Sequence, residues 1–327
     1  MSIEMSRRSL LSVGAWGLVG VGVTGCAAGS VAQPVTASAA APRRSPPVSV
    51  AVSRRITLHM LQTGWVAVKR EHRQFGGPSA LRIPAIMAST AWTEWLPITA
   101  FVIEHPDGVL MVDTGETPRI HDPGYTACDP ITGFFYRHNL RFQIGQDEGI
   151  AGQLQAAGIA PDRVTKVVMT HLHSDHMGGM AAFPRAEFIV SAAARSGHTG
   201  ALMCRIPSDL AISATALLDR PAGVFDRSMP LTADGSVSII PTPGHAEGHQ
   251  SVLIEDEGRS VCLVGDAAFS RDQIEDGTIG GIVHSVADAR ASAQKLRQQS
   301  QAFSTLMLPT HDPGNADRLR HAFGFLH

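Results

Sequence analysis

Short apolar runs rich in β-branched residues, each closed by a polar turn, recur along this chain and read as buried strands. They fall at 56–61 (ITLHML), 98–104, 109–112, 164–169, 187–190, 237–240, 261–264 and 306–308. The turn HPDG at 105–108 puts Pro and Gly where a hairpin between two of these runs needs them. Helical patterning is briefer. Ile150, Leu154 and Ala157 predict a short helix over 149–158 that stops at Gly158. The Ala-rich stretch 191–218 predicts partial helix, with Pro207-Ser208-Asp209 as a fresh N-terminus. Residues 81–97 read as loop, whose Trp92 and Trp95 either line a pocket or fill the core. Residues 118–149 carry no period and are long for a connection. They are expected to form an ordered lid or substrate wall built on Phe134, Phe135 and Tyr136.

The N-terminal pattern is different. Residues 10–23 are apolar and glycine-rich but shorter than the roughly 20 residues a bilayer crossing needs. The stretch suits a signal-peptide core. Arg7-Arg8 ahead of it resembles a twin-arginine export signal, and Val23-Thr24-Gly25-Cys26 after it resembles a lipobox, which implies cleavage before Cys26 and a lipid anchor there. The alternative is an ordinary signal cleaved near Ala27-Ala28. Residues 27–53, mostly Ala, Pro, Ser and Val, read as a disordered tether. The expected organisation is therefore an export signal over 1–26, a tether over 27–53 and one globule over 54–327. The expected location is periplasmic or otherwise extracytoplasmic, anchored as a lipoprotein.

Composition changes this picture little. With 327 residues, 44% hydrophobic and a formal net charge of −2, the globule is of α/β size, and no basic excess points to nucleic acid. If Cys26 is lipidated, three cysteines remain. Cys262, inside an apolar run, reads as a small buried hydrophobe, and a Cys128–Cys204 bridge is left open.

The chemistry sits at the strand ends. The run at 164–169 leads into THLHSDHMGG, with His171, His173, Asp175 and His176 in six positions. The run at 237–240 leads to His245, that at 261–264 to Asp266, and that at 306–308 to His311. In α/β sheets the carboxyl ends of strands are where ligands bind. His171 and His173 leave extended backbone on one side and can grip one ion, completed by His245. Asp175, His176 and His311 can hold a second, and the Asp266 carboxylate can bridge the two. Imidazole and carboxylate without thiolate point to two Zn²⁺, with iron, manganese or cobalt as alternatives. Two such ions about 3.5–4 Å apart share and acidify a water. Asp175 is the ligand best placed to pass a proton to a leaving group, while Asp113 is expected to orient a histidine from behind. His249 is expected to brace its loop, and His138, His198 and His284 to be ordinary loop histidines.

Taken together, HLHSDH at 171–176, TPGH ending at His245, GD at 265–266, PTHD around His311 and VDTG at 112–115 resemble the metallo-β-lactamase superfamily. The resemblance implies an α/β fold, an αββα sandwich of two mixed sheets face to face with outer helices and the metals at one edge. It also implies a dinuclear hydrolase acting on a small molecule. The spacing is most similar to acyl-homoserine lactone lactonases, in which a metal-bridged hydroxide attacks a lactone or related ester carbonyl. Those lactonases often carry tyrosine three positions after the bridging aspartate, where this chain has Phe269. Phosphotriester hydrolases and glyoxalase II-type thioesterases share the ligand pattern and stand as alternatives. A metal-binding lipoprotein without turnover is the non-enzymatic one.

Overall fold

The computed structural model describes residues 40–196 and 200–324. The export signal, Cys26, residues 27–39 of the tether and His198 lie outside the described residues. Eight strands form the first sheet: β1 (Val48–Ala51), β2 (Thr57–Val68), β3 (Leu96–His105), β4 (Gly108–Val112), β5 (Leu140–Gln143), β6 (Val164–Val168), β7 (Glu187–Val190) and β8 (Ala211–Ala214). They run in the order β1-β2-β3-β4-β6-β7-β8, with β5 also paired to β2. The second sheet runs β13-β12-β11-β10-β9. Its strands are β9 (Met229–Pro230), β10 (Val237–Pro241), β11 (Gln250–Asp256), β12 (Arg259–Gly265) and β13 (Leu306–Pro309). The HPDG turn joins β3 and β4 as an antiparallel hairpin, whereas β4, β6, β7 and β8 pair in parallel, so both sheet types coexist.

The helices are α1 (Arg70–Arg73), α2 (Arg82–Ala88), α3 (Pro130–Asn139), α4 (Ile150–Ala156), α5 (Ser174–Met177), α6 (Ala192–Ser196), α7 (Arg271–Asp276), α8 (Val286–Phe303) and α9 (Asn315–Phe323). Alternation in the strands sorts their side chains into layers. Leu58, Phe101, Ile103 and Val112 of the first sheet meet Ile239, Val252, Ile254 and Leu263 of the second in one buried cluster. The reverse face of the first sheet, with Val102, Met111 and Val167, packs on Ile150 and Leu154 of α4. The reverse face of the second, with Leu253 and Cys262, packs on Ile274 of α7 and Leu296 of α8. This is the expected αββα sandwich.

Several local readings need correction. The tether reading of 27–53 runs too far, because β1 pairs with β2 and puts Val48, Val50 and Val52 in the inter-sheet core. Alternate valines on an edge strand bury one face, a signal that the surrounding Ala and Pro hide. Residues 81–97 contain the helix α2 instead of loop alone, and the Trp92 ring carries both the Lys69 ammonium and the Arg141 guanidinium, 4.2 and 3.9 Å from its centroid. The expected helix start at Pro207 is absent. Ala211–Ala214 pairs with β7 as a strand, since pairing there completes the sheet. Residues 118–149 are ordered, as expected of a wall, but by a helix: Asp129 caps α3, accepting from Thr132 N at 3.0 Å, with Pro130 in its first turn. Cys128 and Cys204 are disulfide-bonded, tying the start of α3 to the 200–206 segment, and Cys262 is buried and free.

Candidate metal centre

Every proposed ligand follows the carboxyl end of a strand: β6 precedes His171, β10 precedes His245, β12 precedes Asp266 and β13 precedes His311. Asp175 and His176 occupy the single turn of α5, Ser174–Met177, which is capped at its end by Gly178. Gly178 and Gly179 matter for another reason. A Cβ on Gly178 would collide with Glu116 Oε1, and one on Gly179 would lie 2.5 Å from Thr114 O. Only glycines let the VDTG strand end approach α5 so closely.

The structure brings all seven residues together in three overlapping groups: His171, His173 and His245; His171, His176 and Asp266; and Asp175, His176 and His311. His173 Nδ1 is 2.9 Å from His171 Nε2 and 3.1 Å from His245 Nε2. His311 Nε2 is 3.4 Å from Asp175 Oδ2. Asp266 spans both sides: Oδ1 lies 3.3 Å from His176 Nε2, and Oδ2 lies 3.3 Å from His311 Nε2 and 3.5 Å from His245 Nε2.

The outer ring nitrogens are occupied. His176 Nδ1 donates to Asp113 Oδ2 at 2.7 Å, His245 Nδ1 to Ile282 O at 3.1 Å and His311 Nδ1 to Pro97 O at 2.8 Å. These bonds set the tautomers and leave each Nε2 as a lone-pair donor facing the centre. Asp113 acts from behind, as expected, its own carboxylate held by Thr170 N and Thr170 Oγ1, both at 2.8 Å. His249 braces the loop at Asp266, donating from Nδ1 to Thr242 O at 3.1 Å and accepting from Asp266 N on Nε2 at 3.0 Å.

The fit to metal can be read from unmet valence. His176 Nε2 and Asp266 Oδ1 are buried and, although 3.3 Å apart, have no hydrogen-bond partner among the described residues. A buried unpaired nitrogen and carboxylate oxygen converging on one point are costly without a cation between them. The electrostatics agree. Burial, followed by the neighbouring histidines, holds the His171 pKa well below the usual histidine value, which favours the neutral ligand form. Burial opposes charge on His176 too, but Asp266 and Asp113 outweigh it and raise its pKa. The Asp266 carboxyl is held well below its ordinary value by His311 and His176 despite burial. The residues present therefore fit a pair of cations.

A cavity of about 250 Å³ opens over this centre, lined by His173, Asp175, His245, Asp266 and His311 at one end and by Val66, Val68, Phe135, Leu140 and Ile282 beyond. Phe135, Tyr136 and Phe269 line it as expected, and Phe269 stacks on the His311 ring at 5.3 Å. Phe134 does not. It is half-exposed and packs on His138 at 4.0 Å, because the turn of α3 that points Phe135 and Tyr136 inward points Phe134 out.

Two buried groups near the centre go beyond the sequence reading. His72, on α1, lines the cavity, and burial with nearby His173 lowers its pKa to about 3. Glu116, just after VDTG, is fully buried; Oε1 accepts from Thr117 N at 2.9 Å and Oε2 has no hydrogen-bond partner among the described residues. Burial raises its pKa to about 8 from an ordinary 4.5. A raised folded pKa means that its contribution is fully present below about 4.5 and lost as pH rises through about 8. Glu116→Gln keeps a neutral amide there. Its denaturant stability should match wild type within about 1 kcal/mol near pH 5 and exceed it by more than about 1 kcal/mol near pH 9, and equal values at both would refute the assignment.

Residues 93–311 match the family model described as the Metallo-beta-lactamase superfamily. The N-acyl homoserine lactonase AttM of Rhizobium radiobacter is 31% identical over 237 residues, which cover 67% of this chain and 82% of that protein. Among solved structures, an N-acyl homoserine lactone hydrolase with the product N-hexanoyl-L-homoserine bound at its catalytic metal centre aligns with a TM-score of 0.64 at 20% identity, covering 84% of this chain and 96% of that one. The dizinc quorum-quenching lactonase AidC aligns at 0.57 and 15% identity, with 82% and 91% covered. At those identities the structural likeness speaks to the fold.

Proposed function

Because this chain belongs to the metallo-β-lactamase superfamily as a metal-dependent hydrolase, we propose that it opens lactones or closely related esters at a two-zinc centre. The observation that carries the dinuclear reading is Asp266, whose carboxylate reaches His245 on one side and both His176 and His311 on the other within the convergence of all seven residues. His171, His173 and His245 would hold one ion, Asp175, His176 and His311 the other, and Asp266 both. When bound, the ions supply an activated water and a Lewis-acid hold on the substrate carbonyl.

The chain's own residues do the rest. Asp175 lines the cavity while touching His311, so its carboxyl can carry a proton to the departing oxygen. Asp113 holds the His176 ring against rotation through a charge-assisted bond. Val66, Val68, Phe135 and Leu140 exclude water and accept an alkyl chain, and the exposed Ile83 and Ile131 extend that apolar wall to the mouth. Phe269 packs beside His311 without offering a hydrogen-bond donor, which leaves the carbonyl oxygen to the metal end of the cavity. An acyl chain next to a compact ester ring is the shape this cavity suits. The similarity to AttM supports the same substrate class.

We place the protein outside the cytoplasm, anchored through Cys26. Arg7-Arg8, the apolar run after them and the Cys128–Cys204 disulfide all favour export to an oxidising compartment. The reading is tested with zinc-loaded protein and a panel of acyl lactones, alkyl esters, thioesters and phosphotriesters. Acyl lactones are expected to give the highest kcat/KM. Faster turnover of phosphotriesters or thioesters would reassign the substrate, and no turnover in any class would reject the hydrolase.

A further inference from the structure

Exposed apolar side chains are gathered at one place on this surface. Among the described residues, the exposed large hydrophobics are Leu81, Ile83, Met87, Ile131 and Phe134, with Leu218 and Phe303 elsewhere. Ile83 and Met87 are four positions apart on α2, and Ile131 and Phe134 three apart on α3, so each pair shares a helix face. Leu81 ends the short turn that leads into α2. Two observations join the helices into one surface. Ile83 and Ile131 both line the cavity, and Asn139 Nδ2 donates to Met87 Sδ at 3.1 Å. Ile131 is 85% exposed and Leu81 54%. Single apolar residues in solvent need no explanation, but a cluster that rims a cavity does.

Charge and the course of the chain indicate what covers this rim. Residues 79–88 and 130–139 contain Arg82 and Arg137 and no acidic residue. Asp129, just before α3, is taken up by Thr132 N and Thr132 Oγ1, each at 3.0 Å. Apolar side chains edged with arginine suit the interface of a bilayer that carries anionic lipid. A second copy of this chain would bring no acid on its own α2 or α3 to meet Arg137. The first described residues lie against β5, the strand that follows α3. Ala41 N donates to Gln143 Oε1 at 2.9 Å, and Gln143 ends the strand whose first residue, Leu140, lines the cavity. That strand is about 10 Å long. Arg43 and Arg44 stand beside it, with Arg44 Nε 4.0 Å from Glu148 Oε1. Fifteen peptide bonds separate Cys26 from Ala41, a reach of at most about 50 Å. A chain anchored at Cys26 would thus be held to its membrane through the β5 end of the globule, next to the exposed rim.

We propose that the rim formed by α2 and α3 is a membrane-docking surface, which seats the cavity mouth on the headgroup region of a phospholipid bilayer. The docking is separate from the hydrolase reading and does not depend on the substrate. It takes from the export reading only that a bilayer is close. Leu81, Ile83, Met87, Ile131 and Phe134 enter the boundary between headgroups and acyl chains, while Arg137 stays with the phosphates. Docked in this way, the cavity opens toward the leaflet, and amphiphilic compounds dissolved there reach the mouth without crossing bulk water.

The test reads contact with lipid and needs no turnover. The full chain is reconstituted with vesicles of phosphatidylethanolamine and phosphatidylglycerol that contain a photoactivatable phospholipid, and labelled peptides are mapped by mass spectrometry. Peptides from 79–88 and 130–139 are expected to carry about tenfold more label than those around Leu218 and Phe303. Leu81→Glu combined with Phe134→Glu, at two exposed positions outside the cavity lining, should cut rim labelling about tenfold. Leu218→Glu combined with Phe303→Glu should leave it unchanged, and thermal melts of both variants beside wild type exclude unfolding as the cause. Rim label no higher than that around Leu218 and Phe303 overturns the proposal. So does label confined to cavity residues such as Val66 and Leu140, or rim labelling that survives Leu81→Glu with Phe134→Glu. An unlabelled rim in a chain that sediments as a dimer assigns the surface to a second copy instead. The intact mass of the same sample shows whether Cys26 carries lipid. An unmodified Cys26 removes only the anchor, and an inactive enzyme removes only the hydrolase reading; rim labelling decides the docking in both cases.

Discussion

Asp266→Ala is expected to lower bound zinc from about two ions per chain to one or fewer and to reduce kcat/KM by about 10³-fold or more. The size follows from position. Oδ1 lies 3.3 Å from His176 Nε2, and Oδ2 lies within 3.5 Å of both His245 Nε2 and His311 Nε2. Asp266 is thus a carboxylate that reaches His245 of one proposed set and His176 and His311 of the other. Removing it takes away the charge that favours a cation and leaves His176 and His311, whose pKa values Asp266 raises against burial, without their strongest partner. Zinc content by elemental analysis, read beside steady-state kinetics, checks this. Two retained ions with near-normal activity would contradict a bridging role. Dialysis of wild type against a strong chelator should reproduce the loss, and zinc should restore activity in wild type but not in the variant.

Asp175→Asn is expected to reduce kcat by 10²–10⁴-fold for substrates with an alkoxide leaving group, which is the range of a positioned general acid. Asparagine keeps the shape and one oxygen for the ion near His311 but has no acidic proton to give. A ligand role alone would depress all substrates alike, through lost metal. A proton-transfer role predicts a graded result: the deficit should shrink to about tenfold or less for aryl esters with acidic phenol leaving groups, which depart without protonation. Equal losses for both leaving groups, with zinc content unchanged, would count against proton transfer by Asp175. Stoichiometric loss of zinc would assign the residue to the metal instead.

Most of this site was legible before any tertiary contact was known. Metal ligands need particular atoms, few residue types supply them, and strand ends hold them where two sheets open. His171, His173, Asp175, His176, His245, Asp266 and His311 could therefore be read from local chemistry and strand spacing, and they do converge. Asp113 was legible for the same reason, as the polar end of an apolar run. Phe134 was not separable from Phe135 and Tyr136 by sequence. Their facing depends on helical phase, and the phase of α3 is set by Asp129 and Pro130 at its start, which a search for apolar periodicity passes over.

Other features depend on partners far along the chain. β1 looks like the end of a linker until its register against β2 buries alternate valines. Residues 211–214 become a strand because β7 offers an unpaired edge there. The Cys128–Cys204 pairing joins residues 76 positions apart and requires the 200–206 segment to fold against α3. His72 has no motif around it. It enters the site because a loop more than 200 residues later, at Gly281 and Ile282, hydrogen-bonds its carbonyl and fixes its ring beside Phe269.

By itself, then, the sequence determined eight of the thirteen strands of the described residues, which ends carry metal-competent groups and which family chemistry they suit, because each of these is a property of residue type at short range. Only the tertiary structure decided how the apolar wall closes over the centre, which aromatic faces it, and where the His72 ring sits beside Phe269, because those depend on surfaces that meet only when the two sheets and their loops pack.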